Sequence, residues 1–399
     1  MNAVLKKLIL KRFRSIPSGT IDFENPTFLV GRNGSGKSNL VDAFAFLAEL
    51  MVSPLLAAFD RRGGITAVRN RTSGRSYPPN LGICAILGPI NGVVTGGRYA
   101  FEVRALPNYG FDVVREQCIV NLEDGDRYWF DRTRSRFDSN VRGMEPASEP
   151  SALVLPVVGG DVRFAPIVRA LSGIRTYLIE PDRVRQMQDP DSGTNLKPDG
   201  SNVASVLQEI ERQAPEDIEQ ICDLLASVVP NTRRVKPIKY GNKLSLEFTQ
   251  ELGQKKRRKL EAFNMSDGTL RALGLLVAVF QRPTPTLLAL EEPEATIHPG
   301  ALGAILDLLF SASDRMQVLV TTRSPEVLDA KWLEARNIQI VEWTDGASRI
   351  APLAQASHRT LHEHLMGAGE LLRSDALDAE PLFDDPGAVA RADLFEALA

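Results

Sequence analysis

The chain has 399 residues, of which 43% are hydrophobic and 24% are charged, and its formal net charge is −3. This composition is typical of a globular protein and excludes a chain whose overall charge alone would attract nucleic acid. No apolar run approaches the ~20 residues that a membrane helix needs. The cysteines Cys84, Cys118 and Cys222 are scattered and odd in number, which predicts neither a disulfide framework nor a metal site. We therefore expect a cytoplasmic protein without a membrane segment.

The first part of the chain predicts strands around one helix. Residues 3–31 indicate strand, turn and strand, and the second strand ends just before a glycine cluster. Apolar residues then recur at helical spacing over residues 40–47. Short alternating runs and glycine pairs over residues 60–135 indicate antiparallel β-structure.

The second part predicts a different layout. Residues 186–201 are polar and read as a loop, and residues 202–229 predict two helices. From residue 269, helical patterns alternate with continuous apolar strands, which is typical of a parallel sheet covered on both faces. Residues 374–399 carry seven acidic residues against one arginine, and we expect a mobile or loosely docked tail.

The glycine cluster fits the pattern G-x-x-x-x-G-K-[ST] without exception, between a predicted strand and a predicted helix. Its residues are Gly31, Arg32, Asn33, Gly34, Ser35, Gly36, Lys37 and Ser38. Glycines let backbone amides converge on phosphate oxygens, and the helix N-terminus adds partial positive charge. Lys37 is expected to reach the β- and γ-phosphates of ATP, and the Ser38 hydroxyl to bind Mg²⁺. The alternative is a chance glycine-rich turn.

A second candidate element is the apolar strand at 287–290, which ends in the carboxylates Glu291 and Glu292. Ligands bind at the carboxyl ends of parallel strands. One acid would hold Mg²⁺, usually through water, and the other would orient and deprotonate the attacking water. Register assigns the role of metal ligand to Glu291 and the role of general base to Glu292. The alternative is a pair of solvated acids after a core strand.

With these motifs and the segment Ser266–Arg271, the chain resembles the ABC-type heads of SMC, RecF and OLD-like ATPases. Phe13-Arg14-Ser15 is similar to the opening segment of these proteins. A motif variant of stand-alone bacterial members, which include anti-phage ATPase subunits, resembles Glu291-Glu292-Pro293-Glu294 followed by Ile297-His298-Pro299. The resemblance covers residues 1–50 and 260–350 well. It implies an α/β fold, an ABC-type P-loop NTPase head with a mostly antiparallel β lobe and a parallel-sheet α/β lobe.

The resemblance also implies a site completed by a second copy of the chain. Ser266, Asp267 and Gly268 match the signature loop, which in the family binds the γ-phosphate of the partner's ATP. The alternative is a helix N-cap only, and both can hold together. His298 matches the D-loop aspartate that contacts the partner.

Two residues depart from the family pattern, and a third is unassigned. Glu291 replaces the usual aspartate, and Arg323 stands in place of the switch histidine. Arginine cannot exchange protons near neutral pH, but it can stabilise transition-state charge. The alternative is that Arg323 points to solvent and turnover is weak. The sequence does not identify which glutamine serves as the Q-loop.

The densest cationic run covers residues 255–259. It could contact a nucleic-acid backbone, but its position between two predicted strands favours a solvated hairpin tip.

The predicted domains are a first lobe with the phosphate loop and a β-rich insertion (1–185), a short helical and hairpin insertion in place of a coiled coil (186–262), a second lobe (263–365) and an acidic tail (366–399). The function expected is that of a Mg²⁺-dependent ATP hydrolase that switches on head-to-head dimerisation. It would act with a separate effector, such as a nuclease, in anti-phage defence. The alternatives are a RecF-like repair ATPase that binds DNA and a structural head that does not hydrolyse ATP.

Overall fold

A computed structural model of the protein describes residues 4–70, 80–90, 92–147, 149–252, 256–381 and 393–398. The chain divides into two compact units. One, called here the N-terminal unit, comprises Asn2–Ile174, Ala335–His362 and Leu377–Ala399; the other, the central unit, comprises Arg175–Glu334 and Glu363–Ala376. Within the described residues, no helix is both long and apolar enough to cross a bilayer.

The N-terminal unit contains an antiparallel sheet with the strand order β2-β1-β4-β5-β6-β7-β8. Successive side chains of a strand point to opposite faces of the sheet, and the face that carries Cys84 and Ala100 is called here the outer face. Central stretches such as residues 81–85 are buried on both faces. The strands are β1 (Leu5–Phe13), β2 (Ile16–Asp22), β4 (Asn80–Leu87), β5 (Val94–Ala105), β6 (Phe111–Leu122), β7 (Arg127–Thr133) and β8 (Phe137–Ser139). The antiparallel structure predicted over residues 60–135 is therefore confirmed for residues 80–133, while residues 65–68 form a short helix instead and residues 71–79 lie outside the described residues.

A second group of strands in the same unit surrounds the glycine cluster. Strand β3 (Thr27–Val30) is fully buried and pairs in parallel with β15 (Ile338–Thr344), which pairs antiparallel with β16 (Ala347–Pro352). Residues 335–362 therefore belong with the phosphate loop, although the sequence analysis grouped them with the second lobe, because the β3–β15 pairing joins segments about 300 residues apart in the sequence.

The helices of the N-terminal unit are mostly short. They are α1 (Lys37–Leu50), α2 (Leu55–Asp60), α3 (Ile65–Val68), α4 (Leu155–Val158), α5 (Ala165–Ser172) and α12 (Gln355–His362). Helix α1 follows β3 and buries one apolar face, as its spacing predicts.

The central unit contains a parallel pair of strands linked by a helix. Strands β13 (Leu287–Glu291) and β14 (Gln317–Thr322) pair in register, and α10 (Pro299–Ala312) connects them. Helix α9 (Asp267–Phe280) buries nearly every residue after its first turn. This is the alternation that the sequence predicts from residue 269.

Further elements of the central unit lie around this pair. Its remaining helices are α6 (Pro181–Arg185), α7 (Val203–Gln213), α8 (Pro215–Val228), α11 (Pro325–Leu328) and α13 (Ala368–Arg373). The two helices predicted over residues 202–229 are α7 and α8. A three-stranded antiparallel sheet consists of β10 (Thr232–Tyr240), β11 (Lys243–Glu251) and β12 (Arg257–Glu261), and β9 (Ile174–Tyr177) begins at the unit boundary.

Two expectations need correction. Arg257, Arg258 and Lys259 lie within β12 and not at a hairpin tip, because they continue the ladder with β11; residue 255 lies outside the described residues. Residues 393–398, expected to be loosely docked, lie against the antiparallel sheet, where Leu394 is 2% exposed. The few apolar residues of this acidic segment were too weak a signal to predict this.

Candidate nucleotide-binding site

The glycine cluster of the N-terminal unit forms a tight loop between a buried strand and a helix N-terminus. Gly34 and Gly36 have φ angles of 77° and 105°, a region that L side chains rarely adopt. A Cβ on Gly36 would also lie 2.0 Å from Ser348 Oγ, and one on Gly31 would lie 2.2 Å from the Val341 carbonyl oxygen. The glycines at these positions are therefore required by conformation and by space.

Lys37 begins helix α1 and places its ammonium group inside the loop. Its Nζ donates hydrogen bonds to the carbonyl oxygens of Gly31 at 2.7 Å and Arg32 at 3.0 Å, and the residue is 6% exposed. The N-cap, Gly36, offers no side chain to the first-turn amides. A helix N-terminus with a cation beside it is a favourable site for phosphate groups.

One buried polar atom supports this interpretation of the loop. The hydroxyl oxygen of Ser35 is buried, and among the described residues it has no hydrogen-bond partner. A buried hydroxyl left without a partner is costly, and a phosphate oxygen would satisfy it. The donor set of the loop thus fits a phosphate-bearing ligand.

Further residues, which the glycine-cluster motif does not indicate, form hydrogen bonds next to the loop. The hydroxyl groups of Ser15 and Ser348 are 2.7 Å apart, and Asn39 Nδ2 donates to Ser15 Oγ at 2.6 Å. The backbone N–H of Ser348 also donates to the Ser15 carbonyl at 2.8 Å. These contacts hold Ser348 of strand β16 in place, and Gly36 packs against this residue. Only the Phe13-Arg14-Ser15 resemblance pointed towards this part of the chain.

In the central unit, the chain turns sharply after β13, where the two carboxylates lie. Glu291 is the last residue of the strand, and Glu292 follows with a φ of 42°. The N–H of Glu292 donates to the Thr321 carbonyl at 3.0 Å, which ties the turn to the neighbouring strand β14. Consecutive carboxylates are thereby presented at the carboxyl end of a parallel strand pair.

Arg323 lies beside the candidate general base. Its Nε is 3.6 Å from Glu292 Oε2, and the Arg323 side chain is 53% exposed. The predicted switch position is therefore in contact with Glu292 and remains open to solvent on its other side. Whether it supports or weakens turnover stays a prediction.

Two more ionisable residues of this region carry no role in the sequence analysis. Glu294 Oε1 accepts a hydrogen bond from the Thr322 hydroxyl at 2.6 Å, while Oε2 is buried without a partner among the described residues. Burial raises the pKa of Glu294 despite that hydrogen bond. Arg271 Nη1 donates to the Glu292 carbonyl at 3.4 Å, and burial lowers the pKa of Arg271. The four-residue run Glu291–Glu294 was the only sequence signal for Glu294.

The candidate signature loop caps helix α9. Ser266 Oγ accepts from the Thr269 N–H at 3.3 Å, so the N-cap interpretation is confirmed. Asp267 accepts a hydrogen bond from Arg185, and a Cβ on Gly268 would lie 2.6 Å from the Thr296 carbonyl oxygen. The contact of this loop with a partner's nucleotide stays a prediction.

His298 caps helix α10. Its Nδ1 accepts a hydrogen bond from the Gly300 N–H at 3.0 Å. The D-loop role of His298 stays a prediction.

The two predicted Mg²⁺ ligands fit the ion by their chemistry. Ser38 offers a hydroxyl oxygen and Glu291 a carboxylate, and Mg²⁺ prefers oxygen ligands and retains several waters. Within the described parts of the chain, no cluster of three or more His, Cys, Asp or Glu side chains could hold a metal ion by itself.

Comparison with known proteins identifies the family and the fold of the chain. A family model described as "AAA domain, putative AbiEii toxin, Type IV TA system" matches residues 27–152 and 162–329. No curated protein matches the chain.

Several solved structures are similar to it in fold. The Smc head bound to the C-winged helix domain of ScpA has a TM-score of 0.56 at 16% identity, over 87% of this chain and 97% of that one. A Pyrococcus furiosus Smc head with an extended coiled coil, bound to the C-terminal domain of ScpA, has a TM-score of 0.54 at 15% identity, over 91% and 99%. The chain therefore belongs to this AAA-domain family and has the fold of an SMC-type ATPase head.

Proposed function

We propose that the protein is a cytoplasmic ATPase that hydrolyses ATP to ADP and phosphate with Mg²⁺ and acts as a dimerisation-coupled switch. The observation that carries this proposal is the phosphate loop. Its glycines are required by conformation and space, and its lysine ammonium lies inside the loop. Its buried serine hydroxyl has no hydrogen-bond partner among the described residues.

The proposed roles follow from the chemistry of each side chain. Lys37 and the loop amides bind the β- and γ-phosphates, and Ser38 and Glu291 hold Mg²⁺, which neutralises phosphate charge. Glu292 orients the attacking water and accepts its proton. Arg323, next to Glu292, stabilises charge that develops in the transition state.

The proposed switch requires a second copy of the chain. Ser266 and the N-terminal amides of α9 would complete the γ-phosphate pocket of the partner copy. Ser266 already accepts the Thr269 amide hydrogen bond, so its hydroxyl is held at the helix N-terminus. Closure of the dimer would then depend on ATP, and hydrolysis would reopen it.

The biological setting that we propose is anti-phage defence with a separate effector, such as a nuclease. Support comes from the family description, which names a putative toxin of a Type IV toxin–antitoxin system. Two of the similar Smc heads are bound to a domain of a second protein, ScpA, which supports a protein partner for this chain as well.

Phosphate release tests the proposed activity. The parent protein should release phosphate from ATP only with Mg²⁺. Glu292→Gln, which keeps the size of the side chain but removes the base, should lower the rate by about 10²-fold or more. Glu363→Gln, an exposed acid elsewhere, is the matched control and should keep the parental rate. Equal rates for Glu292→Gln and the parent would refute the assignment of the base.

A further inference from the structure

The outer face of the antiparallel sheet carries a docked peptide segment. Residues 393–398 lie on it without regular secondary structure. The cross-strand register places Cys84, Ala100, Gln117 and Asp131 in one row on four neighbouring strands. Paired positions share a face, so this row forms a continuous floor beneath the segment.

The floor contains a pocket that fits one leucine. Leu394 is 2% exposed and packs with the fully buried Cys84 and Ala100. A Cβ on Gly82 would lie 2.3 Å from Leu394 Cδ1. Three small residues on β4 and β5 therefore leave the space that the leucine fills, and a larger residue at any of them would close it.

Gln117 recognises the backbone of the segment. Its Nε2 donates to the Glu396 carbonyl at 3.0 Å, and its Oε1 accepts from the Glu396 N–H at 2.9 Å. Gln117 is fully buried, and Asp131 Oδ2 accepts a second hydrogen bond from Nε2 at 2.8 Å, which fixes the amide orientation. A fixed side-chain amide that bonds to both the N–H and the C=O of one residue binds extended backbone as a neighbouring strand would.

Arginines extend this recognition along the segment. Arg98 donates to the carbonyl oxygens of Leu394 at 3.0 Å and Asp393 at 2.6 Å. Arg127 pairs with the Glu396 carboxylate at 2.8 Å, and the Arg115 guanidinium lies 4.5 Å from the centre of the Phe395 ring. The surface therefore selects an acidic peptide with leucine, an aromatic residue and glutamate in succession.

We propose that this outer face is a peptide-binding groove, and that residues 393–396 are its tethered ligand, exchangeable for the same Asp-Leu-Phe-Glu motif on a partner protein. The contacts use side chains of the sheet and backbone or side chains of the segment, with no strand pairing between them, so release of the segment leaves the sheet ladder intact. The proposal is independent of the proposed ATPase activity.

Binding of a labelled peptide of sequence ADLFEAL, added in trans, tests the proposal on the full chain. Leu394→Asp should release the tethered segment, because a carboxylate cannot enter the apolar pocket. The peptide should then bind this variant with a saturable one-to-one isotherm, and the parent at least about tenfold more weakly, since the parent's own segment competes. Leu365→Asp, at an exposed leucine, is the matched control and should behave like the parent.

Two further variants establish specificity. Gln117→Ala in the Leu394→Asp background should weaken peptide binding at least about tenfold, the loss typical of a buried anchor. A peptide with aspartate in place of the leucine should not bind. If the peptide fails to bind a folded Leu394→Asp variant, or binds equally well without Gln117, the proposal is wrong.

Cys84 provides a second readout that does not depend on the label. Leu394 covers its thiol, so Leu394→Asp should accelerate alkylation of Cys84, and the peptide should slow it again. Cys118, buried in the same sheet, should stay protected and so report that the sheet is folded. If Cys84 is alkylated as slowly in Leu394→Asp as in the parent, the segment has not been released from the groove. If the parent is a dimer and the Leu394→Asp variant is a monomer, the segment of one copy binds the groove of the other copy. That result would overturn the proposal that a partner protein supplies the motif.

Discussion

Glu292, the proposed general base, has an unfavourable backbone conformation. Its φ of 42° is unusual for a residue with a long side chain, and such strain costs about 1–3 kcal/mol. The hydrogen bond from its N–H to Thr321 offsets part of this cost. In the proposed mechanism, this turn follows the metal ligand Glu291 directly and begins with the base Glu292.

At Lys37, the expected effect of substitution is loss of ATP binding. Lys37→Ala removes the ammonium that lies on the loop carbonyls and should weaken ATP binding by at least about tenfold, because a charge-assisted contact to phosphate is lost. Titration calorimetry measures this directly. Lys331→Ala, at an exposed lysine, is the control. Parental affinity in Lys37→Ala would mean that the loop is not the phosphate site.

Glu116 makes stability depend on pH. It is fully buried in the antiparallel sheet unit, where it accepts hydrogen bonds from Tyr99 OH and from the backbone N–H groups of Val154 and Leu155. Burial raises its pKa from 4.5 to about 7, against the effect of these donors. The folded state therefore holds this proton more tightly than the unfolded state. Its contribution to stability is complete below pH 4.5 and is lost as the pH rises towards 7.

Denaturant unfolding between pH 5 and pH 8 tests this assignment. The free energy of unfolding should fall more steeply with pH in the parent than in Glu116→Gln, which has a similar shape and no titrating proton. The variant can be less stable at every pH, because its amide offers a donor where Val154 also donates. Parallel pH profiles for the two proteins would contradict the raised pKa.

Local signals predicted the phosphate loop, while contacts between distant segments were missed. The eight-residue motif is complete within itself, because glycine spacing dictates the loop. Asn39 and Ser348 could not be found in this way, since Ser348 meets Ser15 only after β16 has folded against the first strands. Burial of Glu294 depends similarly on Thr322 of the neighbouring strand.

At the scale of elements, periodicity predicted the helices and the parallel strand pair. The run of positive charges at β12 led to the wrong prediction of a hairpin tip. Burial of one face of α1 and of both faces of β13 left regular apolar patterns. The basic run offered no such pattern, because its last residue, Lys259, pairs with an acid of the neighbouring strand β11. Lys259 pairs with Glu247 at 3.2 Å, and Glu247 also pairs with Lys236 at 3.3 Å.

This pairing predicts that β12 contributes little to DNA binding. Replacing Lys256, Arg257, Arg258 and Lys259 with glutamine should leave ATP hydrolysis unchanged and alter DNA affinity little, since part of their charge is already neutralised. Filter binding over a range of salt concentrations measures the affinity and its salt slope. A large loss of affinity, with the slope reduced by about one unit per lost contact, would instead favour the RecF-like alternative.

For the whole molecule, the central claim is that ATP hydrolysis needs two copies, each completing the other's site. The chain carries both kinds of element needed for this arrangement, a phosphate loop in its N-terminal unit and a candidate signature loop in its central unit. Ser266→Arg places a bulky cation on the signature loop and should abolish hydrolysis while leaving the phosphate loop unchanged. Lys37→Ala should abolish hydrolysis and leave the signature loop unchanged.

Mixing these two inactive variants is the most direct test of the claim. In a mixed dimer, the intact phosphate loop of Ser266→Arg faces the intact signature loop of Lys37→Ala. An equal mixture that assembles at random should therefore recover about a quarter of the parental phosphate release, because half of the dimers are mixed and each has one complete site. Recovered activity that rises with protein concentration is the result predicted. A mixture as inactive as its components, or parental hydrolysis by Ser266→Arg alone, would contradict the claim and show that the two copies do not share their sites.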